Sequence, residues 1–156
     1  MSDLERHVAD LARRLQAVED ELAIHKVILR YGPAVDGGDA DAAAAVFTEE
    51  GVYDVDVGRM EGRAAIGAMI RGPRHQAMVG HCAHQMGPFV VSVDGDRAEA
   101  VGYSRVYLET PAGTHVYRVS FNRWVLGRRP DGTWLIERRL TRKLGHAEAC
   151  DVLRGT

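Results

Sequence analysis

From residue 88 to residue 144 the chain alternates apolar and polar side chains, and short turn signals break this run three times. Phe89 to Val93 meets Asp94-Gly95-Asp96, Ala98 to Glu109 meets Pro111-Ala112-Gly113, and Thr114 to Gly127 is followed by Asp131-Gly132 before Thr133 to Leu144. A period of two with one buried face, joined by hairpin-type turns, predicts a long antiparallel meander. Such a sheet has an apolar face that the rest of the chain must cover.

The N-terminal half supplies helices. Leu4, Val8, Leu11, Leu15, Val18 and Leu22 recur at a 4-3-4-3-4 spacing, one stripe of a helix. Glu5, Arg6, Asp10, Arg13, Arg14, Gln16, Glu19, Asp20 and Glu21 lie between them as an expected solvated face. The stripe has the spacing of a coiled-coil seam, so it either packs on its own domain or makes a dimer contact. The pattern then changes phase, and Ile24, Val27, Ile28 and Tyr31 predict a second helical stretch from Ile24 to about Val35. Pro33 should bend or tighten its last turns, and Gly37-Gly38 should end it. Asp39 predicts an N-cap for a helix over Ala40–Phe47. Val52 to Val57 reads as a first strand, and Gly62 to Arg71 as a short helix closed by Gly72-Pro73. Helices followed by a meander give an α+β class.

Composition limits the function classes. The chain has 156 residues, the size of one ordinary domain, with 46% hydrophobic and 27% charged residues. Its net charge is -2 with no block of either sign, so a nucleic-acid partner is not expected. No apolar run approaches a membrane span, and the charged N-terminus lacks the apolar core of a signal peptide. Cys82 and Cys150 form no C-x-x-C pair. The expectation is a cytoplasmic protein with two reduced thiols, Cys82 a buried and inert one.

Five short motifs in order resemble the SnoaL-like branch of the nuclear-transport-factor-2-like superfamily. They are Ile28-Leu29-Arg30-Tyr31 with Val35-Asp36-Gly37-Gly38-Asp39; Ala45-Val46-Phe47-Thr48-Glu49-Glu50-Gly51-Val52; Gly62-Arg63-Ala64-Ala65-Ile66; His84 with Val91 through Ala98; and Asp131-Gly132-Thr133-Trp134-Leu135-Ile136. The resemblance implies a cone-shaped curved mixed sheet around an apolar pocket that the N-terminal helices close. On that basis residues 1–22 are expected as an amphipathic helical extension, 23–146 as the pocket domain and 147–156 as a tail. The superfamily includes scytalone dehydratase, a bile-acid dehydratase, hexachlorocyclohexane dehydrochlorinase, limonene-epoxide hydrolase, ketosteroid isomerase and SnoaL-type polyketide cyclases, so fold alone does not settle function.

Asp36 and His84 occupy the positions where the dehydratase and dehydrochlorinase members keep an Asp–His dyad. A carboxylate bonded to one imidazole nitrogen fixes the tautomer and leaves the other nitrogen free to take a proton. The competing reading makes Asp36 a cap on the Gly37-Gly38 turn and His84 a satisfied core histidine. Tyr31 matches the bile-acid dehydratase tyrosine and is either a hydroxyl donor or an apolar helix position with a polar tip. Arg139 matches a dehydrochlorinase pocket arginine; Arg138 must face the other way, and register decides which points in. Alternation puts His115, Tyr117, Val119 and Phe121 on one strand face as expected pocket lining, with Tyr53, Tyr103 and Trp124 as further candidates. His81 is expected at the surface.

The epoxide hydrolase's aspartate–arginine–aspartate set is missing around Arg105-Val106-Tyr107, and Glu109 is the only central-strand acid, which disfavours the isomerase chemistry. No Gly-rich phosphate loop is present. The resemblance therefore implies a cofactor- and metal-independent lyase of dehydratase type. Its substrate would be a hydrophobic, ring-containing small molecule of steroid-like or polyketide-like kind, and the protein a homodimer or higher homo-oligomer. A non-catalytic binding protein and a polyketide cyclase or isomerase are the alternatives.

Overall fold

The computed structural model describes residues 2–154. One helix, α1 (Asp3–Asp36), runs through both of the stretches that the phase change had separated. The apolar pattern rotates because the two halves of α1 face different surroundings, and the backbone continues unbroken. Ser2 and Glu5 form a reciprocal capping box at its start. Pro33 tightens its end: Gly38 N donates to Val35 O at 3.1 Å, and Gly38 takes a left-handed φ of 72° that suits glycine.

Asp39 then caps α2 (Ala40–Ala45) by accepting from Ala42 N at 2.9 Å. This helix is shorter than expected because β1 (Phe47–Val55) already begins at Phe47 and turns back through an unanticipated β2 (Gly58–Glu61). Next come α3 (Arg63–Arg71), a single turn α4 (Pro73–Gln76) and β3 (Cys82–Asp94), which starts seven residues before the Phe89 expected to open the strand. The meander continues as β4 (Arg97–Thr110), β5 (Gly113–Arg128) and β6 (Trp134–Lys143), and α5 (Ala149–Arg154) follows within the segment read as a tail.

The six strands form one curved, unclosed sheet in the order β2-β1-β6-β5-β4-β3. Only β1 and β6 pair in parallel, so the sheet is mixed. Ile24, Ile28, Tyr31 and Val35 of α1 pack with Ala43, Phe47, Ile66 and Ile70 against Ala98, Ala100, Trp124, Leu126 and Ile136 of the sheet. α5 lies on the opposite face, where Val152 O accepts from Arg123 Nε at 3.0 Å. The fold expected from the motifs is thus present: a curved α+β sheet with helices over one face.

Asp20, expected on the solvated face of the helix, is buried. Its carboxylate accepts from both Nη atoms of Arg128 at 2.6 Å, from Trp134 Nε1 at 3.1 Å and from Gln16 at 3.1 Å. Arg128 in turn stacks over the Trp134 ring at 4.6 Å. This cluster fastens α1 to the β5–β6 turn and marks the point where the helix leaves the domain. Among the described residues, no helix is long and apolar enough to cross a membrane.

Candidate active site

Where α1 crosses β3, two backbones come very close. Gly32 is buried there, and a Cβ at that position would stand 2.4 Å from the backbone oxygen of His84. One turn later Asp36 meets the same residue twice. Its Oδ2 accepts the His84 backbone N–H at 2.7 Å, and its Oδ1 lies 2.5 Å from His84 Nδ1. The Cys82 thiol donates to Oδ1 at 3.5 Å.

Partial burial pushes the Asp36 carboxyl up. The His84 ring and backbone hydrogen bonds, with lesser help from Cys82, outweigh that and hold it below the usual carboxylate range. An ionised Asp36 next to Nδ1 requires the proton on Nδ1. In the neutral ring Nε2 is then the nitrogen with the lone pair, and the ring lines a cavity.

Gly32→Ala tests how much this crossing matters. In an ordinary helix the change stabilises by about 1 kcal/mol. Here the new methyl meets backbone, so we expect a loss of about 1–3 kcal/mol in urea unfolding. Displacing α1 from His84 should also lower any turnover by about 10²-fold. Unchanged or raised stability would show that the crossing is not tight.

The cavity beside His84 measures about 290 Å³. Tyr31, Tyr53 and Tyr117 line it together with Val106, Met60 and Met69. Tyr117 reaches it because β5 bulges opposite the Val106–Tyr107 step. Above the bulge the alternation is the reverse of the one expected. Ser120, Asn122, Trp124 and Leu126 face inward, while Phe121 packs on Tyr103 on the outer face at 5.4 Å between ring centroids. His115 lies at the exposed far end of β5 and does not line the cavity, and His81 is exposed.

Three polar lining residues carried no signal in the sequence. His75 and Arg74 sit on α4, a turn with no apolar period to reveal it. His75 Nε2 donates to Val35 O at 3.0 Å, and its ring lies 6.1 Å from that of His84. Arg118 lines the rim and pairs with Asp56. A larger hollow of about 830 Å³ lies on the outer face under α5, lined by paired arginines and acids and remote from the dyad.

Tyr31 is buried, with its ring against those of Phe47 and Tyr53. Burial, and then the neighbouring Tyr53, raise its pKa well above the ordinary phenol value, so it stays protonated and keeps a proton to donate. Behind it lies Arg139, 3% exposed. Register puts Arg139 inside, opposite Trp124 and Tyr53, and leaves Arg138 on the outer face beside Asp54.

The Arg139 guanidinium stands 4.8 Å from the Tyr31 centroid, 4.7 Å from Tyr53 and 5.5 Å from Trp124. Its Nε and Nη2 donate to Asn122 Oδ1 at 3.2 and 2.9 Å, and Nη1 has no partner among the described residues. Asn122 is held by Ser104 and Thr141 in the same buried network. A buried cation held by neutral groups alone keeps its positive field for whatever negative charge forms nearby, and the rings of Tyr31 and Tyr53 both stand against it on the cavity side.

Asp36, Cys82 and His84 are also the one group of three ligand-type side chains among the described residues, with ligand atoms within 4.8 Å of one another. In this arrangement they are joined by hydrogen bonds: burial and the Asp36 charge push the Cys82 thiol up to about 11, which keeps it a donor to Asp36.

A family model described as a SnoaL-like domain matches residues 16–140. The chain belongs to the SnoaL-like domain family. No curated protein matches it. Among solved structures, an NTF2-like protein with a cystatin-like fold from Novosphingobium aromaticivorans is 41% identical, with a TM-score of 0.88 over 93% of this chain and 96% of that one. Rv3472 from Mycobacterium tuberculosis, described as of unknown function, is 26% identical with a TM-score of 0.77, covering 88% and 78% of the two chains. A Catenulispora acidiphila protein in complex with S-DNPA shares the fold at 21% identity and a TM-score of 0.70, over 81% and 94%.

Proposed function

We propose that this SnoaL-like domain is a cofactor-independent lyase of the dehydratase type, acting on a hydrophobic, ring-containing small molecule. One observation carries the reading. Asp36 bonds both the backbone and the ring of His84, which leaves Nε2 as a base on a cavity whose other polar wall is a protonated Tyr31. The cavity volume suits a compound of one or two rings.

His84 Nε2 takes a proton from the carbon next to an electron-withdrawing carbonyl, and the electron pair left behind forms the double bond. The neighbouring hydroxyl departs and, with one proton, becomes water. Tyr31 anchors the carbonyl or gives that proton, and Arg139 behind it offsets the negative charge that develops. Tyr53 and Tyr117 pack against the ring. Arg139 acts through Tyr31 and Asn122, so it is a positioning residue. The site is taken to work in the cytoplasm, and the working unit to be a homodimer or higher homo-oligomer.

A panel of cyclic β-hydroxy ketones tests the reaction. Loss of one water, followed by mass spectrometry, supports the lyase. Uptake of deuterium from heavy water without elimination would make the protein an isomerase or cyclase. Tight binding of the panel with neither reaction would make it a carrier. Activity is also expected to survive exhaustive chelation and dialysis, with metal content measured by plasma mass spectrometry. Stoichiometric zinc or iron whose removal abolishes turnover would turn Asp36, Cys82 and His84 into a metal site.

A further inference from the structure

Residues 3–19 of α1 contribute no buried side chain to the domain; the first is Asp20. Along this half, Leu4, Val8, Leu11, Leu15, Val18 and Leu22 are 47–71% exposed, and nothing among the described residues covers them. The stripe does not pack on its own domain. At about 100° per residue it lies about 150° around the helix from the face carrying Ile24, Ile28, Tyr31 and Val35. Anything that covers it approaches from the side away from the domain.

We propose that the stripe is the seam of a parallel, in-register coiled coil with a second copy of this chain. The proposal deepens that of a homo-oligomer and does not depend on the lyase chemistry. In heptad terms Val8, Leu15 and Leu22 are a positions, and Leu4, Leu11 and Val18 are d positions. The residues flanking the seam then decide the orientation.

In a parallel pair each g residue meets the e residue five positions later in its partner. Arg14 faces Glu19 across the seam, and Glu21 faces Lys26, both of opposite sign and both occurring twice by symmetry. In the antiparallel pairing that keeps the seam closed, Arg14 would face Arg14 and Glu5 would face Glu19. Like charges penalise that arrangement. All four residues of the parallel pairs are exposed and available. Arg14 has only a loose 3.9 Å contact to Asp10, Glu21 a 3.8 Å contact to His25, and neither Glu19 nor Lys26 makes an ion pair among the described residues.

The seam is short, about 27 Å from Leu4 to Leu22, which an isolated peptide would hold poorly. Here the same helix is already formed and held from Asp20 to Asp36 by the domain, so nucleation is not required of the seam. At its C-terminal end His25 takes the next d position but stacks on Phe89 at 4.5 Å, which returns the helix to its own domain. With the two buried faces pointing outward, the domains flank the zipper and the two cavities stay open.

The full chain carrying Cys150→Ser tests the geometry through Leu4→Cys, a seam position, and Arg13→Cys, on the outside. Air oxidation should convert Leu4→Cys almost wholly to a covalent dimer and leave Arg13→Cys monomeric on a non-reducing gel. Equal cross-linking of the two overturns the parallel seam.

Light scattering at micromolar concentration should give the wild type at least twice the 17.1 kDa chain mass, and the Leu11→Lys/Leu15→Lys variant a lower mass. A wild-type mass of one chain overturns the homo-oligomer itself. A variant that keeps the wild-type mass leaves an oligomer but overturns the seam. Arg14→Glu should weaken association about tenfold, and adding Glu19→Arg should restore it. Failure of the second change to restore association overturns the parallel charge pairing.

Discussion

His84→Ala is expected to lower the rate on any substrate by about 10²–10⁴-fold, the usual contribution of a positioned base. The folded domain should lose no more than about 1–2 kcal/mol, because the ring is half-buried at a cavity wall and its removal frees space that water can enter. Asp36→Asn should cost activity on a similar scale by a different route. A carboxamide can present an N–H to Nδ1, and the imidazole then places its proton on Nε2, where the lone pair is needed.

This tautomer change can be read without a substrate. The ¹⁵N spectrum of His84 should show the Nδ1–H form in the wild type and the Nε2–H form in Asp36→Asn. A wild-type His84 carrying its proton on Nε2 would sink the proposed role of both residues, whatever the activity assays give.

The parts of the fold that could be read from the residues are those in which one local signal has one structural meaning. Residues 97–143 alternate between fixed turn signals, and β4, β5 and β6 lie where those signals place them. Two other readings failed because a local signal had a non-local cause. The change of apolar phase near Leu22 reflects which body each half of α1 faces, and it does not break the helix. The inward face of β5 depends on a bulge set by pairing with β4, so counting by twos from His115 arrives on the wrong side.

The site was legible to a similar degree. Tyr31, Asp36 and His84 belong to recurring motifs and could be named. His75 sits on a single turn with no period, and only the packing of that turn against the end of α1 brings it beside His84. Gly32 offered no signal, since its importance lies in a backbone that approaches from 52 residues later in the chain.

The largest expected effect on stability belongs to a residue remote from the site. Asp20→Ala should destabilise the protein by about 3–5 kcal/mol in urea titration, the range for removing one partner of a buried ion pair. The Trp134 indole N–H would lose its acceptor in a buried position, and Arg128 would keep, besides the Trp134 ring, only Asp96 and the Gly95 carbonyl near the surface. Asp20→Asn, which keeps the shape and one acceptor oxygen, should cost less than the alanine. A change under about 1 kcal/mol for Asp20→Ala would mean that the cluster is dispensable.

The same carboxylate gives a pH dependence of definite sign. The Arg128 guanidinium, against the cost of burial and with help from Trp134 and Gln16, holds Asp20 below the ordinary carboxylate value in the folded state. A depressed folded pKa stabilises above the unfolded value, near 3.9, and the benefit fades as pH falls through the folded one. Asp36 and Asp56 shift in the same direction and add to it. Stability should therefore be flat from neutral pH down to about 5 as far as these groups decide it, then drop below about 4, and the drop should be smaller in Asp20→Asn. Because Asp20 ties α1 to the turn between β5 and β6, its protonation should loosen that end of the helix first. Amide exchange at Ile24 and Ile28 would then rise on acidification before that of the β4–β5 ladder, and simultaneous exchange of the two would show that the helix and the sheet unfold as one unit.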